Sequence, residues 1–118
     1  MGSLIYGANS LDVEFDDRVL AHLQVIFGQK LRRGEEFFFS WNDTPAVGDG
    51  RSALWIAKSI PLYFRYDSHK PQPLNREWLE AMAISAGGNQ GLFLSEEPAK
   101  REQGEPILSE DNSIKRKG

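Results

Sequence analysis

The stretch Glu36-Phe37-Phe38-Phe39-Ser40-Trp41, the polar turn from Asn42 to Gly50, and the two runs Arg51-Ser52-Ala53-Leu54-Trp55-Ile56-Ala57 and Pro61-Leu62-Tyr63-Phe64-Arg65-Tyr66 decide how this chain is read. They hold eight of its thirteen aromatic residues, so most of the apolar area able to drive folding lies here. Alternate side chains of a strand point to opposite faces. Phe37, Phe39 and Trp41 therefore share one side of the first run, and Phe38 and Ser40 share the other. In the second run Leu54 and Ile56 oppose Ala53, Trp55 and Ala57. In the third, Leu62, Phe64 and Tyr66 oppose Tyr63 and Arg65. The expected arrangement is a three-stranded antiparallel meander with one apolar face. Its other face, carrying Phe38, Trp55, Tyr63 and Arg65, is too aromatic to stand fully solvated and calls for a cover.

Working outward, Leu4-Ile5-Tyr6 and Leu11-Asp12-Val13-Glu14-Phe15 flank Gly7 to Ser10 as the two arms of a hairpin, with Leu11, Val13 and Phe15 facing inward. Asp16 or Asp17 offers a side-chain cap to a first helix. Val19, Leu20, Leu23, Ile26, Phe27 and Leu31 recur along it at helical spacing until Gly34. Lys30, Arg32 and Arg33 fall in its last turn, where cations relieve exposed carbonyls. Asn75 caps a second helix with the stripe Trp78, Leu79, Met82 and Ala86, and Gly87-Gly88 ends it through a left-handed cap. Gly91-Leu92-Phe93-Leu94 is a last short strand. The order β-β-α-β-β-β-α-β predicts an α+β fold with a mostly antiparallel sheet of five to six strands and two helices.

The 118 residues suit one domain, assigned to residues 1–95. From Glu96 to Gly118 the composition shifts to six acids, five bases and no aromatic residue, and this stretch reads as a flexible charged tail. Ile107-Leu108 and Lys115-Arg116-Lys117 could serve there as a docking segment. The net charge of −3 disfavours a strongly electrostatic nucleic-acid or membrane binder. No apolar run is long enough to span a bilayer, and Met1 to Gly7 lacks the pattern of a signal peptide, so the cytosol is the expected location and no membrane contact is expected. The absence of cysteine removes disulfides and thiolate chemistry.

Catalytic groups are sparse. His22 falls on the polar side of the first helix and His69 in a proline-flanked loop, forty-seven residues on, so their spacing suggests no metal site and none is expected. The serines lack a nucleophile elbow. The acid pairs Asp16-Asp17 and Glu35-Glu36 stand at element starts. The most pointed motif is Asp43 through Asp49, Gly50 and Arg51, where Gly48-Asp49-Gly50 suggests a phosphate-cupping loop. It lacks the Gly-Lys-Ser/Thr ending and leads into a strand, so a hairpin loop is the alternative. No catalytic residue is assigned. The expected function is a non-catalytic binding or interaction module. Phe38, Trp55, Tyr63, Arg65 and Lys58 would form its binding face. A second copy, a protein partner, or weakly held single-stranded nucleic acid stacked on the aromatics would be its partner.

Several segments carry a resemblance: Met1-Gly2-Ser3-Leu4-Ile5-Tyr6-Gly7, Glu14 to Gln24, Lys30 to Glu35, Phe37 to Trp41, Val47 to Ser52 and Asn75-Arg76-Glu77-Trp78. Over roughly residues 1 to 97 the chain resembles a family of short actinobacterial proteins often labelled ATP-dependent DNA ligase. That label implies a nucleotide- or DNA-related activity with ATP as cofactor; no other cofactor is expected. Ligases of that class form a lysine–AMP adduct from Lys-x-Asp-Gly-x-Arg. In this alignment Asp49 and Gly50 match, but Val47 stands at the lysine position and Ser52 at the arginine position. Valine cannot act as a nucleophile.

Overall fold

The computed structural model describes residues 1–99, apart from 9, 10, 45 and 47. Residues 100–118, the bulk of the stretch expected to be a tail, lie outside the described residues. The elements are β1 (Gly2–Tyr6), β2 (Leu11–Phe15), α1 (Asp17–Arg32), β3 (Phe37–Asn42), β4 (Arg51–Ile56), β5 (Leu62–Arg65), α2 (Arg76–Ala86) and β6 (Leu92–Phe93). They form an α+β fold of two helices and six strands, in the order read from the sequence.

The strands divide into two three-stranded sheets, β2-β1-β5 and β4-β3-β6. This corrects the expected meander. β3 and β4 form the predicted hairpin, with Phe39 opposite Leu54, but β5 leaves it and pairs antiparallel with β1, Leu4 opposite Phe64. The physical reason is burial. β1 carries Leu4 and Ile5, both buried, and a strand apolar on both faces needs neighbours on both edges. β5 supplies the second neighbour and sends Phe64 against Phe27 of α1, ring centroids 5.8 Å apart. Pro61, which has no N–H, contributes only its carbonyl, which accepts from Gly7 N–H at 2.9 Å.

The vacant edge of β3 takes β6 in parallel, Phe39 beside Leu92. Gly91 permits this close approach. It adopts φ +84°, and a Cβ there would lie 2.5 Å from the Phe38 carbonyl oxygen.

The core lies where α1 fills the space between the inner faces of the two sheets. Phe27 is its hub, packing edge-on against Phe37 and Phe39 as well as Phe64, while Phe39 stacks on Trp41 at 5.1 Å. α2 adds Trp78, Met82 and Ala86 beside α1 and β6.

The helix ends differ in detail from expectation. Asp16 makes no side-chain cap to α1; Asp17 instead accepts the N–H groups of Asp67 and Ser68, each at 2.9 Å. Those backbone donors hold the Asp17 carboxyl below its ordinary range. Lys30 donates to the Ala86 carbonyl at the end of α2, 3.1 Å away, and pairs with Glu35. It thus serves the second helix rather than its own. Asn75 caps α2 as predicted, accepting from Glu77 and Trp78 N–H. Gly87 ends that helix with φ −81°, not with a left-handed residue. No helix among the described residues is long and apolar enough to cross a membrane.

Candidate functional site

The alternation of β3 divides five consecutive side chains between two environments. Phe37, Phe39 and Trp41 enter the core, while Phe38 on the opposite face is 52% exposed. Phe38 lies directly across from Trp55, which is 41% exposed, and the two rings meet edge to face at 5.0 Å. Further along the same face come Ser40 across from Ala53, then Asn42 across from Arg51. Neither helix packs on this face, so the cover that the sequence calls for is absent among the described residues. The centre of the face is uncharged; Arg51 stands at one end, and Lys58 follows Trp55 in the turn after β4.

The other two residues expected on this face belong to the other sheet, because β5 pairs with β1. Tyr63 lies across from Ile5 on the outer side of that sheet, and the Arg65 guanidinium sits 5.3 Å from its ring. Ile5 is buried on a face turned away from the core, which makes Tyr63 its flanking cover. The single face expected from the sequence is therefore two patches, Phe38 with Trp55 and Tyr63 with Arg65.

The loop from Asp43 to Arg51 closes the β3–β4 hairpin. Asp43 N–H donates to the Gly50 carbonyl at 2.7 Å and Asp49 N–H to the Thr44 carbonyl at 3.2 Å. Asp49 occupies the left-handed region at φ +60°. Both carboxylate oxygens of Asp43 lie 3.0 Å from Ser52 Oγ, which ties the two strand ends together. Asp43, Asp49, Gly50 and Arg51 thus lie in or beside one turn, with Asp43 engaged in holding it.

One polar cluster was not legible in the sequence. His22, expected on the polar side of α1, is 0% exposed and lies against Trp78, ring centroids 4.5 Å apart. Its Nε2 accepts the Asn75 backbone N–H at 2.8 Å, so its Nδ1 carries the proton and donates to the Arg18 carbonyl at 2.7 Å. Arg18 grips both oxygens of Glu97 at 2.7 and 2.6 Å and donates to the Pro73 carbonyl. The Asn75 amide donates to Glu97 and to the Pro98 carbonyl. The Arg18 guanidinium, helped by Asn75, holds the Glu97 carboxyl down to about 2. The Trp78 indole N–H reaches the Ser95 carbonyl. One cluster thereby joins both helices to residues 95–98. The signal available in the sequence was Asn75, already legible as a cap; nothing local marked Glu97 as its partner.

A groove of about 1380 Å³ runs between the two sheets, along β2 on one side and β4 on the other, with Phe15, Trp41 and Leu54 among its apolar lining. Asp12, Glu14, Asp16 and Glu96 stand along it, and none is in an ion pair among the described residues. Arg18 also lines it, but its charge is committed to Glu97. Among the described residues, no group of three or more His, Asp or Glu side chains could hold a metal ion.

Residues 1–97 match a family described as a domain of unknown function, DUF7882, and the chain belongs to that family. The matched region ends at Glu97, the carboxylate that Arg18 and Asn75 hold. Comparison with curated proteins finds no match, and neither does comparison with solved structures.

Proposed function

We propose that this DUF7882 domain is a non-catalytic interaction module, working in the cytosol, whose contact surface is the outer face of β3 and β4 and whose partner is a second copy of the chain. The observation that carries the reading is the uncovered Phe38–Trp55 pair near one end of that face. Aromatic side chains that bring large area with few rotatable bonds are the usual anchors of protein interfaces, and interface centres are depleted in charge. A sheet face with an uncharged middle can meet its own copy across a two-fold axis without placing like charges together. Several groups that could do proton chemistry are engaged in holding the fold. His22, Arg18 and Glu97 are consumed by the cluster that joins the helices, and Asp43 by its hairpin. The ligase reading that the resemblance implies lacks its nucleophile, since position 47 is valine.

Sedimentation velocity across a concentration series tests the proposal. The full chain is expected to associate, and Trp55→Glu to remain monomeric while melting within a few degrees of wild type. A wild-type chain that stays monomeric at all concentrations refutes the partner assigned here. A second reading has its own observation: Arg51 shares the face with the exposed rings, the combination that stacks unpaired bases and neutralises phosphate. Binding of labelled oligothymidine that Trp55→Ala abolishes would favour that reading over self-association.

A further inference from the structure

Among the described residues, β2 and β4 are each the last strand of their sheet, and both border the same groove. Their hydrogen-bond phase identifies which backbone groups are unpaired. On β4 the Asp43 N–H to Gly50 carbonyl bond sets the phase of the β3 ladder. Hydrogen-bonded pairs alternate along an antiparallel ladder, so Ser52 and Leu54 bond to β3 while Ala53 and Trp55 point off the sheet. The Trp55 carbonyl confirms the phase, because it accepts the Tyr6 hydroxyl from the other sheet at 2.6 Å.

On β1 the Gly7 N–H to Pro61 carbonyl bond places Ile5 toward β5 and Leu4 and Tyr6 toward β2. Val13 and Leu11 are then the bonded partners, and Asp12 and Glu14 direct their N–H and C=O groups to the open edge. Among the described residues, the outward backbone groups of Asp12, Glu14 and Ala53 thus lie on two strand edges that border a shared apolar channel, while the Trp55 carbonyl is already taken by Tyr6. Unprotected edges of this kind are templates for an added strand. The volume, about 1380 Å³, exceeds the roughly 300–1,000 Å³ typical of small-molecule pockets, which suits a peptide segment.

The charge of the channel identifies the occupant. Its free carboxylates, Asp12, Glu14, Asp16 and Glu96, call for a segment that joins cationic side chains to an apolar one. Ile114-Lys115-Arg116-Lys117 in this chain has that composition. The chain also leaves the described region beside the channel, since Ser95, Glu96 and Glu97 line it and Ala99 follows two residues later. Fourteen residues separate Ala99 from Ile114, a reach of up to roughly 50 Å when extended, more than the 30 Å breadth of the molecule.

We propose that the channel between the free edges of β2 and β4 is a strand-acceptor site, and that it takes the chain's own segment Ile114–Lys117 as an added strand. The apolar lining receives Ile114, the carboxylate rim receives the three cations, and the edge amides of Asp12, Glu14 and Ala53 gain partners. This site is separate from the outer face of β3 and β4 and does not depend on it.

Amide hydrogen exchange of the full chain tests it. In wild type the Asp12, Glu14 and Ala53 amides are expected to exchange at least about tenfold more slowly than in the triple reversal K115E/R116E/K117E, which leaves residues 1–99 unchanged. The reciprocal pair D12K/E14K should lose protection at Ala53 to the same extent, and combining the two sets should restore it. Equal, fast exchange of the three amides in wild type and the triple reversal would overturn the proposal. Protection that appears only as protein concentration rises would overturn it too, because the segment would then come from another molecule.

Discussion

The two faces of the β3–β4 hairpin are built from the same kinds of residue and experience opposite surroundings. Phe39 is 0% exposed and touches Phe15, Phe27 and Trp41, whereas its neighbour Phe38 is 52% exposed and touches Trp55. Residue type does not distinguish them; one step along a pleated strand does. Aromatic content therefore measures how much area a segment can bury, not how much it does bury. The inner rings hold the two sheets to α1, and the outer pair is available for contacts beyond the domain.

Substitutions that treat the two faces alike should separate them most sharply. Phe39→Ala removes a wholly buried ring from the centre of the core and should cost about 3–5 kcal/mol in urea unfolding, a large share of the roughly 5–15 kcal/mol that holds a domain folded. A cost below about 1 kcal/mol would mean that the inner face is not the core described here.

An intermediate effect is expected at the cluster that fastens residues 95–98. Arg18 and Glu97 form a two-pronged ion pair with side chains about 30% exposed, so Glu97→Gln should lose about 1–2 kcal/mol at neutral pH. The pH dependence has a definite sign. Glu97 titrates near 2 when folded and near 4.5 when unfolded, so the unfolded chain binds its proton first. Its contribution is present above about pH 4.5 and is lost as the pH falls toward 2. The stability difference between wild type and Glu97→Gln should shrink across that window, and a difference that stays constant from pH 7 to pH 2 would refute the assignment.

The smallest effect belongs to the outer face. Phe38→Ala deletes an exposed ring and its edge contact with Trp55, worth about 0.5–1.5 kcal/mol, so the monomer should remain folded. Thermal melting that drops as far as for Phe39→Ala would show that Phe38 is buried by an interface tighter than the one proposed.

Much of the fold was legible before any coordinates, and the part that was not has a common cause. The hairpin of β1 and β2, the span of α1, the Asn75 cap and the inward set Phe37, Phe39 and Trp41 all follow from patterns contained within a few residues. The partners of β5 and β6 do not. Leu62 and Phe64 would alternate identically beside β4 or beside β1, and only the need to flank Ile5 and reach Phe27 selects β1. The same limit applies to the candidate site. Phe38 and Trp55 were placed together correctly because a hairpin joins them, whereas Tyr63 and Arg65 were not, because their grouping assumed a strand pairing that does not occur.

The sequence by itself determined the elements, most of their inward residues and the shared face of Phe38 and Trp55, because strand and helix periodicities and caps are written in adjacent residues; that this face stays uncovered among the described residues was decided by the tertiary structure. Only the tertiary structure decided which edges meet. It buried His22 between Asn75 and Arg18, gave Glu97 its guanidinium, and left β2 and β4 bordering one acidic channel. Such pairings depend on the burial of groups some fifty to eighty residues apart, an energy that no short window of sequence contains.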